Sequence, residues 1–491
     1  GGANSATGGY EIDNSLKLEA DNSEYMVRTM TSTGNRRTFT LSVWLKRTEV
    51  KDGAGSVYGH TFFIGGNAGS GAAVFLRFST STTNPDTLQF RVEGGAWNYT
   101  NRVFKDTSAW YHIVFAVDTT QATSSDRIKL YVNGVQETSF SAISYPSQNT
   151  DTQNNFSQSS TYGQEIGAYN SAGTYYGKFC GYLAEYNHVD GQQLAPTEFG
   201  EYDDDSGIWK PKEYTGSYGT NGFYLDFEDS SSLGADDSGN GNNFTLTNIA
   251  AADQATDTPT NNFPVLNPLW NAYNEVSRFT ITEGGTAVTG NQSNTLWRGV
   301  PATIPVNSGK WYWEVEQGVS VNGILVGYGS IEDGTGYSVG WRELTTVPSD
   351  GGAKIMYSYN GDVYGYNSSD DAWQYGAGFN TAGDIISIAL DLDNGYGYFR
   401  QNGGSWFGSG DPSSGSSGTG AISVPWNSDG DFTIPVVTVP NNTVDCRVNF
   451  GGYTKTSIAS GNSDANGYGN FEYAVPSGYY AICTKNVAEY G

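Results

Sequence analysis

The pattern that most constrains this chain is a two-residue alternation of apolar and polar side chains in short runs, each closed by Gly, Asn, Asp or Pro. FTLSVWLKRT, WYHIVFAVD and RIKLYVNG carry it in the first half, and KWYWEVEQ, GILVGYGS, KIMYSYNGD and DIISIALDLDNGYGYFRQNG in the second. Side chains two apart share one face of a strand, so each run offers an apolar face to a core. No long segment shows the three-to-four spacing of an amphipathic helix, and a turn near QQLAPTEFG is the best helical signal. Strands without intervening helices predict an all-β chain of two tandem antiparallel sandwiches of jelly-roll or concanavalin-like type. Helix should then fall below about a tenth of the residues, against about a third in ordinary domains.

Composition agrees with that reading. At 491 residues the chain exceeds a single core. Gly (65) and Tyr (34) are abundant and charged residues make up 15%. An aromatic share of 14% argues against disorder, which is poor in aromatics. The balance of 25 basic to 51 acidic residues, formally −26, repels phosphate backbones and argues against a nucleic-acid partner. Cys180, Cys446 and Cys483 cannot make a disulfide framework; Cys446 and Cys483 could pair, or the thiols stay free and buried. No apolar run reaches membrane-span length and no signal peptide is visible, so membrane insertion is not expected. The chain opens on GGAN without a Met, implying processing or a native start not represented in it.

Two blocks are expected, residues 1–228 and 275–455. The segment 229–274, rich in Asp, Asn, Gly, Thr and Pro, reads as a partly ordered linker in which FTLTNI and FPVL dock as edge strands. Residues 456–491 read as a polar spacer followed by a return strand, FEYAVPSGYYAICTKN.

The order SLKLEADNSEYM, FTLSVWLKRT, WYHIVFAVDTT, DRIKLYVNG, GYLAEYNHVDGQQLAPTEFGE resembles the laminin-G/concanavalin-A-like family over residues 15–200. Its most specific part is WYHIVFAVD followed by KLYVNG, a Trp-led core strand and a hairpin whose NG turn suits type I′ geometry. GKWYWEV, GDIISIALDLDNGYGYFRQNG and VDCRVNFGG similarly resemble a SPRY domain. The join, with IWKPKEYTGSYGTNGFYLDFED, DSGNGNNFTLTNI and DTPTNNFPVLNPL, resembles proteins of marine tailed phages. That resemblance implies a virion surface protein, a tail fibre, adhesin or capsid decoration.

Catalysis is not indicated. Concanavalin-like glucanases carry Glu-x-Asp-x-(x)-Glu on one strand, placing two carboxylates at one cleft. EIDNS offers Glu11 and Asp13, but Asn14 and Ser15 follow where the second Glu should stand. Glu314 and Glu316 share a strand face without a third carboxylate and read as solvent-facing. His60, His112 and His188 are dispersed, with His112 a strand residue.

Calcium is the one cofactor suggested. ADDSGNGNN supplies Asp236, Asp237, Asn240, Asn242 and Asn243, oxygen ligands of the kind calcium takes, with glycines for sharp turns. The resemblance adds that laminin-G-like domains often carry a similar loop near calcium. The same residues are also ordinary turn formers. Asp203, Asp204 and Asp205 read as a solvated loop, with metal binding as the alternative.

A glycan would be met by exposed aromatic faces with Asn, Asp and Tyr on its hydroxyls. The loop-like candidates are Trp97 and Tyr99, then Tyr169, Tyr175 and Tyr176, then Tyr337, Trp341, Trp373 and Tyr375. Core packing is the competing reading, and it is assigned to Trp44, Trp110, Trp311 and Trp313 on predicted strands. The functional expectation is a non-catalytic virion protein at the particle surface, binding a host-surface glycan and contacting other virion proteins. The alternatives are a purely structural capsid or tail decoration, and a glycan depolymerase. Homo-oligomerisation through the C-terminal strand, or through a virion base, is also expected.

Overall fold

The structure, a computed structural model, describes residues 9–50, 60–68, 73–92, 95–157, 163–270, 279–290, 298–318, 324–331, 353–357, 362–365, 373–374, 381–424, 430–439 and 444–491. Strand takes 41% of the chain and helix 7%, as the alternation requires. Two compact units form, Ala6–Thr260 and Asn261–Gly491.

In the first unit two sheets face each other. One runs Val135–Gln136, Ile128–Val132, Trp110–Asp118, Thr38–Arg47, Gly181–Asp190, Ser15–Leu18, Gln254–Ala255, with Phe223–Leu225 also paired to Gly181–Asp190. The other runs Phe140–Ala142, Asn98–Val103, Thr87–Arg91, Val74–Phe78, His60–Gly66, Gly163–Ile166, Tyr25–Thr29, Thr245–Thr247. Every pairing in both is antiparallel among the described residues. Alternation decides what faces inward: Phe39, Leu41, Val43 and Leu45 of one sheet meet Phe62, Leu76, Phe78, Leu88 and Phe90 of the other in one fully buried core. The NG turn is type I′, with Asn133 at φ 48° and Gly134 at φ 79°. Gly134 is also required by space, since a Cβ there would lie 2.5 Å from the Trp209 ring.

The segment read as a linker is integral to this unit through Thr260. Thr245–Thr247 lengthens one sheet beside Tyr25–Thr29, and Gln254–Ala255 the other beside Ser15–Leu18. Charge explains the docking. Asp253 meets Lys17 at 2.7 Å and Asp257 meets Lys46 at 2.7 Å, and both lysines are buried on the outer sheet face.

The second unit has one sheet in the order Phe279–Thr282, Ala287–Gly290, Asp445–Asn449, Lys310–Gln317, Ile385–Asp391, Tyr396–Gln401, Ile422–Ser423. The facing sheet runs Arg298–Pro301, Thr433–Val439, Leu325–Ser330, Ala353–Tyr357, Asp362–Gly365, Trp373–Gln374. Trp311, Trp313, Val326, Tyr328 and Val436 lie in the core between them. Trp44 and Trp110 of the first unit are buried as well.

The C-terminal segment differs from the expected return strand. Only Tyr480–Ala481 is extended, it pairs parallel to Lys310–Gln317 of its own unit, and Thr484–Tyr490 is a short helix. Phe471, Tyr479 and Cys483 pack there on Tyr312 and Tyr398, making a second apolar layer outside the sheet. That layer corrects the reading of Glu314 and Glu316 as solvent-facing. Glu314 is 2% exposed, accepts the backbone N–H groups of Glu472 and Tyr473 at 2.9 Å each, and takes the Tyr312 hydroxyl at 2.7 Å. Glu316 is buried against Arg447 at 2.9 Å. All three cysteines are free and buried.

Candidate functional site

The register of the second sheet of the first unit assembles one chemically distinctive face. Cross-strand neighbours share a face, so Arg77 opposite Gln89 and Gln89 opposite Tyr99 form one row. A second row is Glu165, Ile64, Phe75 and Arg91, each opposite the next. The alternate positions Leu76, Leu88 and Phe90 point the other way, into the core.

Polar contacts lock the first row. Arg77 Nε donates to Gln89 Oε1 at 2.7 Å, and Gln89 Nε2 donates to the Tyr99 hydroxyl at 2.7 Å. Trp97 lies over the rows with its ring edge-on to Phe75, 5.4 Å between centroids. Both guanidinium groups sit on the indole, Arg77 at 4.2 Å and Arg91 at 4.7 Å from the ring centroid. Burial lowers the Arg77 pKa below its ordinary value; the hydroxyls of Tyr169 and Tyr99 oppose that, and the neighbouring Arg91 charge adds to it.

The hairpin Tyr169–Ser171 and Thr174–Tyr176 folds down on this face. Its two-residue turn has Ala172 at φ 53° and Gly173 at φ 89°, again type I′, and Asn170 Oδ1 accepts the Gly173 N–H at 2.9 Å. Tyr169 packs edge-on against Phe75 at 5.3 Å, Tyr176 lies 5.9 Å from Tyr169, and Tyr175 stacks on Tyr25 at 4.0 Å. Under the hairpin, Glu165 accepts the Asn170 N–H at 2.6 Å, and burial pushes its carboxyl up to about 7.

Trp97, Tyr169 and Tyr176 therefore gather around Phe75, Tyr99 joins them through Gln89, and Tyr175 lies apart on the same sheet against Tyr25. Tyr169 is buried and serves as packing, whereas Trp97, Tyr99, Tyr175 and Tyr176 remain partly open. Arg77, Gln89 and Arg91 went unread in the sequence, although VFLRF and TLQFR place them by alternation opposite the core-facing Leu76, Leu88 and Phe90. Tyr337, Trp341 and Tyr375 lie outside the described residues, and Trp373 is placed only by the edge strand Trp373–Gln374.

The acidic loop is braced internally. Asp236 accepts backbone N–H groups of Tyr224 at 2.9 Å, Ser238 at 3.0 Å and Asn242 at 2.6 Å. The side chains of Asn240 and Asn242 donate to the carbonyls of Gly219, Thr220 and Gly222, and Asn243 accepts the Asp236 N–H. These bonds occupy three of the roughly four acceptor sites of the Asp236 carboxylate. Burial and the adjoining Asp226 carboxylate raise the pKa of Asp237. Asp203, read as solvated, is 8% exposed and accepts from Ser206 and Lys210, which hold it at about 2. Among the described residues no group of three or more His, Cys, Asp or Glu is arranged to hold a metal ion.

One Ser–His contact invites a catalytic reading, and its tautomer rules that out. Trp209 Nε1 can only donate, and it lies 2.9 Å from His112 Nδ1. The imidazole proton is therefore on Nε2, 2.8 Å from Ser42 Oγ, so His112 cannot accept the hydroxyl proton. Burial keeps this ring neutral, with a pKa of about 3. Glu11 and Asp13 are exposed and outside any strand.

Residues 20–177 match the family described as the concanavalin A-like lectin/glucanases superfamily. The match spans both rows, Trp97 and the hairpin. No curated protein matches the chain. Among solved structures, the SPRY domain of human HERC1 is similar at 16% identity and a TM-score of 0.26, over 35% of this chain and 91% of that one. A human SPRY domain gives 16% identity and 0.25, over 35% and 94%. The "putative carbohydrate binding protein" of Bacteroides ovatus gives 17% identity and 0.34, over 48% and 59%.

Proposed function

We propose that this protein is a non-catalytic carbohydrate-binding protein whose first unit holds a glycan on the face bearing Trp97, Tyr99, Tyr175 and Tyr176. The observation that carries this reading is convergence. Two stretches distant in sequence, residues 97–99 and 175–176, deliver partly open aromatic rings to one sheet face, beside hydrogen-bonding groups fixed by Gln89. Rings of this kind pack on sugar C–H faces, while Tyr, Gln and Arg meet hydroxyls. The match of residues 20–177 to a lectin and glucanase superfamily supports the same reading.

The test is a glycan array with the full chain, followed by calorimetry on the strongest hit. Tyr99→Ala and Tyr176→Ala, each checked for an unchanged melting curve, should weaken binding about tenfold or more, as loss of an aromatic anchor does. Binding to no glycan, or binding indifferent to both substitutions, overturns the reading.

The finer reading places the protein on a virion surface as an adhesin facing a host. It rests on the sequence resemblance of the join between the blocks. Antibody labelling of particles tests it, and absence of label from the virion would refute it.

A further inference from the structure

Resting on the reading above, we infer that the glycan held on this face is anionic, a uronate- or sulfate-bearing polysaccharide whose acidic groups are bound by Arg77 and Arg91. Four observations carry it. First, two guanidinium groups converge on one ring, 4.2 and 4.7 Å from the Trp97 centroid, so two like charges share one aromatic side chain. Second, each is aimed by the fold and not by chance: Arg77 is fixed through Gln89 at 2.7 Å, and Arg91 stands opposite Phe75 in the strand register and also stacks over it at 5.1 Å. Third, both are half-buried, where charge is screened less than on an open surface. Fourth, the chain carries 51 acidic residues against 25 basic, so a local pair of cations runs against the overall charge and marks this face out.

The chemistry follows from geometry. A guanidinium presents a planar fork of N–H donors that matches the two oxygens of a carboxylate or sulfate. Two forks resting on one indole define a cationic ledge beside open tyrosine rings. An acidic sugar would bring a counter-charge to this pair of cations, whereas a neutral sugar would not. Burial, with a smaller contribution from the Arg91 charge, depresses the Arg77 pKa, and an incoming anion would act in the opposite direction.

The experiment uses the full chain and two matched probes, dextran and dextran sulfate, together with alginate as the carboxylate form. The expected result is binding of alginate or dextran sulfate and no binding of dextran. Arg77→Gln with Arg91→Gln should weaken anionic binding roughly tenfold to a hundredfold, the loss expected for charge-assisted hydrogen bonds. Arg77→Lys with Arg91→Lys should recover part of it, since charge returns without the fork. The control pair Lys129→Gln with Lys212→Gln, which removes equal charge elsewhere, should leave binding unchanged. If the glutamine variant does not fold, the comparison of dextran with its sulfate on the unaltered chain still decides. Equal binding of neutral and anionic probes overturns this inference and leaves carbohydrate binding standing. Anionic binding lost equally in the lysine control pair overturns it too, as unspecific attraction. No binding to any glycan overturns both.

Discussion

Asp257→Ala should be the most damaging single change outside the hydrophobic core of the first unit. Asp257 Oδ2 accepts Lys46 Nζ at 2.7 Å, its Oδ1 accepts Trp110 Nε1 at 3.0 Å, and its carbonyl takes the Ser15 hydroxyl at 2.6 Å. The Lys46 side chain is 0% exposed and that of Asp257 2%. Burial lowers the Lys46 pKa and Asp257 opposes that. Removing the carboxylate leaves an ammonium in a dry site, a loss of about 3–5 kcal/mol for a broken buried pair. A domain's total stability is about 5–15 kcal/mol. At about 2–4 °C per kcal/mol for a unit of this size, melting should fall by about 6–20 °C. In calorimetry the transition of the first unit should move and that of the second should not. Asp257→Asn keeps the shape and one acceptor for Trp110 but not the charge, so most of the loss should remain. Replacing both partners, Lys46→Met with Asp257→Leu, should recover most of it. Raising the pH toward 10 should also shrink the loss in Asp257→Ala, because Lys46 then sheds its proton. A loss below about 1 kcal/mol, or a double variant as unstable as the single, would refute the reasoning, since a buried charge left alone cannot be that cheap.

Two further outcomes follow from buried carboxyls and from the C-terminal layer. Glu185 accepts the hydroxyls of Tyr224 at 2.7 Å and Tyr10 at 2.9 Å, and burial raises its pKa to about 7. The folded state then holds a proton that the unfolded chain releases near pH 4.3, so this stabilisation is full below that pH and is lost as pH rises through about 7. Denaturant titrations across that window should show Glu185→Gln flattening the decline, and an unchanged slope would count against it. Deleting residues 468–491 should unfold or aggregate the second unit, because it uncovers Tyr312 and Tyr398 and takes the N–H partners from Glu314. A monomeric fragment with unchanged melting in light scattering and calorimetry would contradict this.

Period-two alternation made the sandwiches legible, and NG made one turn legible to its type, because both depend on neighbours in the sequence. The outer layers were not legible for a physical reason. Asp253 and Asp257 look like the charged residues of a solvated linker, and what makes them structural is a pair of lysines more than two hundred residues away. Glu314 looks like the polar side of a strand until residues 472 and 473 close over it. The aromatic candidates Trp97, Tyr99, Tyr169, Tyr175 and Tyr176 were legible by type and loop context. The gathering of Trp97, Tyr99, Tyr169 and Tyr176 was not, since it depends on which strands are neighbours. Arg77, Gln89 and Arg91 could have been found by extending alternation from the core-facing Leu76 and Leu88 to the outward positions.

The distribution of cations gives the site its significance. A chain at −26 has few basic residues to place, and several of them are spent inside. Lys17, Arg28, Lys46 and Arg47 are all buried, neutralising Glu24, Asp253, Asp257 and Asp86 or holding backbone oxygens such as that of Asn221. Lys17, Lys46 and Arg47 each pair with an acid buried beside them, which leaves fewer basic residues to place on the surface of an acidic chain. Long-range attraction of an anionic polymer is therefore opposed everywhere except where cations are concentrated. At physiological ionic strength that opposition fades beyond about 8 Å, so two guanidinium groups gathered on one indole can act locally against it. Binding at the Arg77–Arg91 face should accordingly be slow to begin and tightened by contact, with selectivity written in dissociation and not in encounter.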